Sequence, residues 1–360
     1  MIYYICLAVL SVLLGLKVQN NSIYCESHAG ERQRHINRAF SFAVFFALAF
    51  FSGTRVATGN DFWVYRLNFE LIAQQRVVSS EIGFNLIVRI VQWFAGYDNY
   101  MPIFFVFSVI TVFFFIKAIY DESEWFSASL FLLLANGFYF SSLNTVRYYL
   151  ALAMALYAMK FVNKDRHLAF LSLVLIGATI HKTLFITVPF YYLARINYKK
   201  RDIPIFAVLA AALVFLREPI RKLIFIIYPY YEGTYLDDYQ ISYVNILKAV
   251  AVLVFSLIYY KKAIRDDKIN RFYFNLNIGA LIVFSCLWYL PESTRIGYYL
   301  SISNIFLLPS IIKKIDDKKQ KIFWTTVIAL AYAVFFIMYL RTLYATNIRL
   351  LPYTNWFFAQ

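Results

Sequence analysis

Residues 125–162 read WFSASLFLLLANGFYFSSLNTVRYYLALAMALYAMKFV. Two apolar runs follow one another here, 125–143 and 145–162, and Arg147 and Lys160 are the only full charges in them. A straight bilayer crossing takes roughly 20 apolar residues, so each run is close to one membrane span. A charge at a bilayer edge is ordinary, but Arg147 keeps unusual company. Asn144 stands three residues before it, and Ala151, Ala155 and Ala158 follow at helical spacing. A small-residue stripe suits close helix contact, which would bury this helix inside a bundle. Ionisable groups buried in a membrane are expensive and are functional candidates by default; snorkelling to the headgroups is the plainer alternative.

The rest of the chain repeats the pattern. Hydrophobic residues make up 61% of the 360 and charged residues 15%, with mean hydropathy +0.60, which excludes an ordinary soluble domain. Apolar spans are expected near 2–19, 38–53, 101–120, 125–143, 145–162, 203–216, 243–260, 272–290, 296–312 and 322–340. The N-terminal MIYYICLAVLSVLLGLKV has no basic n-region and no cleavage-site pattern, so it is read as a retained first span. Cys6, Cys25 and Cys286 show neither close pairing nor metal spacing, and no His or Cys motif suggests a metal or cofactor. The net charge of +15 would suggest nucleic acid in a soluble protein. Here it is explained by lysine and arginine gathering in cytoplasmic loops, with no nucleic-acid partner.

Charge also assigns sides. The basic clusters near 32–38, 160–166, 195–201, 261–271 and 313–321 share the inner side if the N-terminus lies outside. Keeping 160–166 and 195–201 together requires two crossings between them, so 167–180 and 183–196 are expected to be two short helices turning near His181. A single long helix is the alternative. On this topology every lysine except Lys182, Lys222 and Lys248 falls on the inner side or at its edge. The outer side holds many arginines instead: Arg55, Arg66, Arg76, Arg89, Arg147, Arg217, Arg221, Arg295, Arg341 and Arg349. Topology gives no reason for that. The guanidinium fork matches phosphate oxygens bidentately, which points to an anionic, phosphate-bearing ligand at the outer face.

The outer segments carry the candidate residues. In GTRVATGNDFWVYRLNFE, Asp61 sits where a helix can start and shares a face with Tyr65; it is either an N-cap or a carboxylate held at a site. In SSEIGFNLIVRIVQWFAGY, Ser80 offers capping chemistry and Glu81, Asn85, Arg89 and Gln92 form a polar stripe on an apolar helix. That stripe reads equally as an interfacial amphipathic helix. Asn144 and Arg147 are expected to share a helix face. His181 and Lys182 lie at the expected turn, and an imidazole there could exchange a proton at neutral pH. His28, His35 and His167 fall on the inner side. Glu232, Asp237 and Asp238 lie in an aromatic, acidic outer loop that could meet a sugar. In PESTR, Glu292 and Arg295 either pair with each other or leave Arg295 for phosphate.

The expected fold is an all-α polytopic integral membrane protein with about 10–12 transmembrane or membrane-embedded helices. It forms a single domain over 1–360, with interfacial helices at 53–100 and an outer loop at 217–242.

These residues also resemble a family. RVATGNDFWVY fits R-x-x-x-G-x-D-x-x-x-Y, followed by E-x-G-F at Glu81–Phe84, N-x-x-R at Asn144–Arg147 and a histidine at His181. The order is similar to the EpsG family of Wzy-like exopolysaccharide and O-antigen polymerases. Two positions depart from it: Tyr148 stands where the family usually has Gln, and Lys182, Thr183 and Leu184 replace a small run after the histidine.

The resemblance implies a GT-C-like helical bundle in the bacterial inner membrane, active at the outer face without a metal or other cofactor. Such a polymerase would move a growing glycan from a polyprenyl pyrophosphate to another lipid-linked repeat unit. A flippase or chain-length regulator would be possible partners. Asp61, His181 and Arg147 are the catalytic candidates, with Asp61 ranked above His181 as base. Arg55, Tyr65, Glu81, Asn144, Lys182, Glu292 and Arg295 are candidates for binding pyrophosphate or sugar. A glycan ligase, a transporter or flippase, and a non-catalytic assembly partner are the alternatives. An absence of internal repeats weighs against a transporter.

Overall fold

The computed structural model describes residues 1–360 other than 20–27, 77, 79–80, 98, 228, 230–231, 234–240, 346–348 and 358–360. Cys25, Ser80, Asp237 and Asp238 lie outside the described residues. The chain is an all-α polytopic membrane protein that divides into two compact units, 1–185 with 315–360 and 186–314.

The first unit opens with α1 (Ile2–Gly15), α2 (His28–Gly53), α3 (Asp61–Ala73), α4 (Ile82–Ala95), α5 (Met101–Glu122), α6 (Phe126–Ala135), α7 (Phe138–Ser141), α8 (Val146–Asn163) and α9 (His167–Ala178). The second holds α10 (Thr187–Ala194), α11 (Ile203–Phe215), α12 (Arg217–Ile227), α13 (Tyr243–Ile258), α14 (Lys268–Cys286), α15 (Ser293–Ser301) and α16 (Asn304–Lys313). The chain then returns to the first unit with α17 (Lys318–Ala345).

By length and composition, four described helices can cross a membrane: Gly30–Gly53, Met101–Glu122, Ser293–Lys313 and Lys318–Tyr344. The pair Ile203–Phe215 and Arg217–Ile226, bent by 66°, makes a fifth if taken as one span. Of the other expected spans, 145–162 and 272–290 form helices of the expected length, α8 and α14, and the rest form shorter ones. The run at 125–143 breaks at Asn136 and Gly137 into α6 and α7. The span expected from 38 begins ten residues earlier, because the basic, polar stretch from His28 continues the helix.

The interval 167–196 is interrupted near His181. Helix α9 ends at Ala178, a 3₁₀ turn covers Lys182–Ile186, and α10 follows. His181 falls in the break.

In the first unit α5 packs against α2, α4 and α8, and α8 packs against α9. Ala151, Ala155 and Ala158 are all buried, so the small-residue stripe does bring helices close. An aromatic cluster fills part of this core. Phe62 stacks on Phe104 at 4.7 Å, and Phe69, Phe84 and Phe107 continue the cluster. A short antiparallel pair, β1 (Arg55–Val56) with β2 (Thr354–Asn355), ties the end of the chain to the segment before α3.

The second unit is organised around α14, which packs against α10, α11, α13, α15 and α16. Asparagine amides join its helices: Asn277 Nδ2 donates to the Ala249 carbonyl at 3.0 Å, and Asn304 Nδ2 donates to Asn277 Oδ1 at 2.8 Å. Hydrogen bonds between helices replace the hydrophobic drive that lipid surroundings do not supply.

Candidate functional site

The site is built around the turn before α8. Asn144 is not on the helix face of Arg147, because α8 begins only at Val146. Freed from the helix, Asn144 caps another one. Its Oδ1 accepts the backbone N–H of Asp61 at 3.0 Å, satisfying one of the orphan donors at the start of α3. The N-cap position itself is Asn60, whose side chain makes no capping bond, so Asp61 is the first helical residue and not the cap. Asp61 Oδ2 accepts from Thr145 Oγ1 at 3.0 Å. Gly59 makes the approach possible: its φ is +89°, and a Cβ there would stand 2.7 Å from Asn144 Oδ1.

Arg147 follows on the first turn of α8. Its backbone N–H donates to Tyr65 Oη at 3.3 Å. Its guanidinium lies over the rings of Phe84 and Tyr65, 5.0 and 5.8 Å from their centroids. Nη1 donates to Glu81 Oε2 at 2.7 Å. The arginine side chain retains 28% exposure, against 10% for Glu81.

Glu81 occupies the N-cap position of α4 but does not cap it. Its second oxygen, Oε1, accepts the Lys182 backbone N–H at 3.1 Å and lies 3.0 Å from His181 Nδ1. A carboxylate can only accept, so Nδ1 carries the proton and a neutral ring presents Nε2 as an acceptor. That Nε2 atom is buried and has no hydrogen-bond partner among the described residues. Tyr148, beside Arg147, packs edge-on against the imidazole with centroids 5.8 Å apart. Burial pushes the Glu81 carboxyl up, but His181, Arg147 and the Lys182 N–H outweigh it and hold it below the ordinary value.

A backbone contact fixes the pairing of α4 with the 179–181 break. The Gly83 N–H donates to the Thr179 carbonyl at 2.8 Å. Any Cβ on Gly83 would collide with Thr179 Oγ1. The spacing of E-x-G-F therefore puts the carboxylate and the only residue able to approach Thr179 on the same helix start.

The other candidates are placed differently. Arg55 is 2% exposed and faces inward. Nε donates to the Leu143 carbonyl at 2.9 Å, and Nη1 donates to the Ser52 carbonyl and to Ser108 Oγ at 2.5 and 3.1 Å. Its guanidinium lies 4.8 Å from the Phe104 centroid, and burial draws its pKa down to about 10. Arg55 thus fastens the chain just ahead of Asn144. Gln92, expected on an exposed polar stripe, is 1% exposed and donates to the Phe69 carbonyl at 2.8 Å, joining α4 to α3. Arg89 is exposed. Glu292 and Arg295 belong to the second unit and pair with each other at 2.8 Å. Lys182 contributes its backbone N–H, and its side chain is exposed.

Thr145, Thr179 and Tyr148 complete the site, and sequence reading did not assign them roles. Thr145 could have been found, since it lies inside N-x-x-R. Thr179 acts through a carbonyl, which leaves no trace in side-chain identity. Among the described residues no group of three or more His, Cys, Asp or Glu could hold a metal ion.

Comparison with known proteins fits this arrangement. No curated protein and no solved structure matches the chain. The EpsG family model matches residues 38–355, a range that runs from within α2 to the end of β2 and contains every residue of the site. That family supports a polysaccharide-polymerase type of role in general. With the match spanning nearly the whole sequence, the chain belongs to the EpsG family.

Proposed function

We propose that the protein lengthens a polysaccharide at the outer face of the bacterial inner membrane. It would transfer a growing glycan from a polyprenyl pyrophosphate to the terminal sugar of another lipid-linked repeat unit. The observation that carries this reading is Glu81, which holds the imidazole of His181 by Nδ1 on one oxygen and the guanidinium of Arg147 on the other.

In the proposed step an acceptor hydroxyl attacks the anomeric carbon of the donor glycan. The bond from that carbon to the pyrophosphate oxygen breaks, and the hydroxyl proton passes to His181 Nε2. The pyrophosphate leaves with its negative charge beside Arg147. General base catalysis contributes about 10²–10⁴-fold, and a fixed cation at the leaving group a comparable factor. Glu81 sets the tautomer of the base and orients the cation. His181 is preferred to Asp61 as base because Asp61 Oδ2 already accepts from Thr145, whereas His181 Nε2 accepts from nothing among the described residues. Asp61, Tyr65 and Asn144 are assigned to shaping the site and meeting the sugar.

Purified protein reconstituted with defined lipid-linked repeat units, scored for product length, tests the reading. Lengthening without added proteins supports it. Substrate crossing the bilayer with no change in length would favour a transporter, and transfer only to a different acceptor would favour a ligase.

A further inference from the structure

The segment that follows α17 returns to the turn that sets Asp61. The Gly59 N–H donates to the Arg349 carbonyl at 2.9 Å, and Tyr4 Oη donates to the Leu350 carbonyl at 2.6 Å. Tyr353 Oη donates to the Phe51 carbonyl at 2.7 Å, and its ring stacks on Phe51 with centroids 4.0 Å apart. Beyond it β2 pairs with β1, and the Trp356 N–H donates to the Thr54 carbonyl at 2.9 Å. Residues 349–356 are thus fastened along 51–59. Gly59 is the residue packed against Asn144, so the Arg349 backbone is held at the edge of the site, beside the start of α3.

Arg349 differs from the other arginines of this region. Arg55 is buried on carbonyls, and Arg147 is bonded to Glu81. Arg349 is exposed, and among the described residues no carboxylate pairs with it. Its φ is +46°, in the left-handed region. Glycine or asparagine suits that conformation better, so the turn alone does not account for a long cationic side chain here. The charges bonded into the site also cancel, Arg55 and Arg147 against Asp61 and Glu81. Lys182 adds an exposed cation only at the His181 end. A pyrophosphate carries more than one negative charge and is best met by cations at both phosphates.

We propose that Arg349 binds the second phosphate of a lipid pyrophosphate whose first phosphate lies beside Arg147. The inference rests on the lipid-pyrophosphate donor of the proposed function. Its guanidinium fork takes two oxygens of that phosphate. A lipid monophosphate reaches only Arg147, so Arg349 makes the site select pyrophosphate over monophosphate. The bonds from 349–356 to 51–59 hold this cation in place from the far end of the chain.

Calorimetric titration of the full-length protein in detergent with farnesyl pyrophosphate and farnesyl monophosphate tests the proposal. The wild type is expected to bind the pyrophosphate about tenfold more tightly than the monophosphate. Arg349→Gln should weaken pyrophosphate binding about tenfold and leave monophosphate binding nearly unchanged. Arg349→Asn suits the left-handed backbone, so it should melt no lower than the wild type and show the same loss. Arg89→Gln, which removes an exposed arginine from α4, should bind both probes like the wild type. No preference in the wild type, normal pyrophosphate binding in Arg349→Gln, or equal loss in Arg89→Gln would overturn the assignment. The lengthening assay separates this outcome from that of the proposed function. Lengthening by the wild type with normal pyrophosphate binding in Arg349→Gln removes Arg349 alone. Selective loss of pyrophosphate in Arg349→Gln with no lengthening by the wild type removes the polymerase reading and keeps the pyrophosphate site.

Discussion

Glu81 Oε2 lies 2.7 Å from Arg147 Nη1, while its Oε1 lies 3.0 Å from His181 Nδ1. One carboxylate thus joins three elements of the first unit, the start of α4, the start of α8 and the break after α9. Removing it would leave a half-buried guanidinium and an unoriented imidazole. Glu81→Ala should destabilise the protein by about 2–3 kcal/mol and reduce lengthening at least 100-fold. Glu81→Gln keeps the shape but not the charge. It should recover most of the stability and little of the activity, measured by melting in detergent alongside the rate.

The same carboxylate predicts a pH dependence. Its folded pKa lies below the ordinary value of 4.5, so its stabilising contribution is complete above that value. The contribution is lost as pH falls through the depressed folded value. Melting temperatures from pH 7 down to pH 3 should show a steeper acid decline in the wild type than in Glu81→Gln. Parallel curves would mean that the carboxylate is not held as described.

Arg55 is predicted to act through the fold. Its donors serve the Leu143 and Ser52 carbonyls, a fork that a lysine ammonium does not reproduce. Arg55→Lys should cost about 2–3 kcal/mol, seen as a lower melting temperature. A variant that melts like the wild type but cannot lengthen glycan would instead put Arg55 against substrate.

Gly83 tests the geometry without touching a charge. A methyl group there collides with Thr179 and pushes α4 away from the break that holds His181. Gly83→Ala should reduce the rate about 10–100-fold, since displacements near 1 Å are costly at a reacting centre. A normal rate would show that the α4 contact does not position the site.

Much of this was legible in the sequence, for identifiable reasons. Hydropathy gave the polytopic helical fold, and His181 with Lys182 marked an interruption in an apolar stretch too long for one simple span. The motif order named Asp61, Glu81, Asn144, Arg147 and His181, all of which meet through the turn before α8. What the sequence could not convey was pairing. Helical spacing put Asn144 and Arg147 on one face, but the helix starts between them, and Asn144 turns to α3 instead. Arg55 was expected as an outer cation from the charge pattern, while its carbonyl partners come from Leu143 and Ser52, which no side-chain pattern announces. Gln92 fitted a polar stripe, yet one buried carbonyl on Phe69 claimed it.

The most direct measurement is the lengthening rate of reconstituted His181→Gln, compared with wild type at matched melting temperature. Glutamine at this position can still hydrogen-bond Glu81 but cannot take a proton from the acceptor sugar. The predicted result is a rate at least about 100-fold lower with insertion and melting preserved. A rate within twofold of the wild type would contradict His181 as the base.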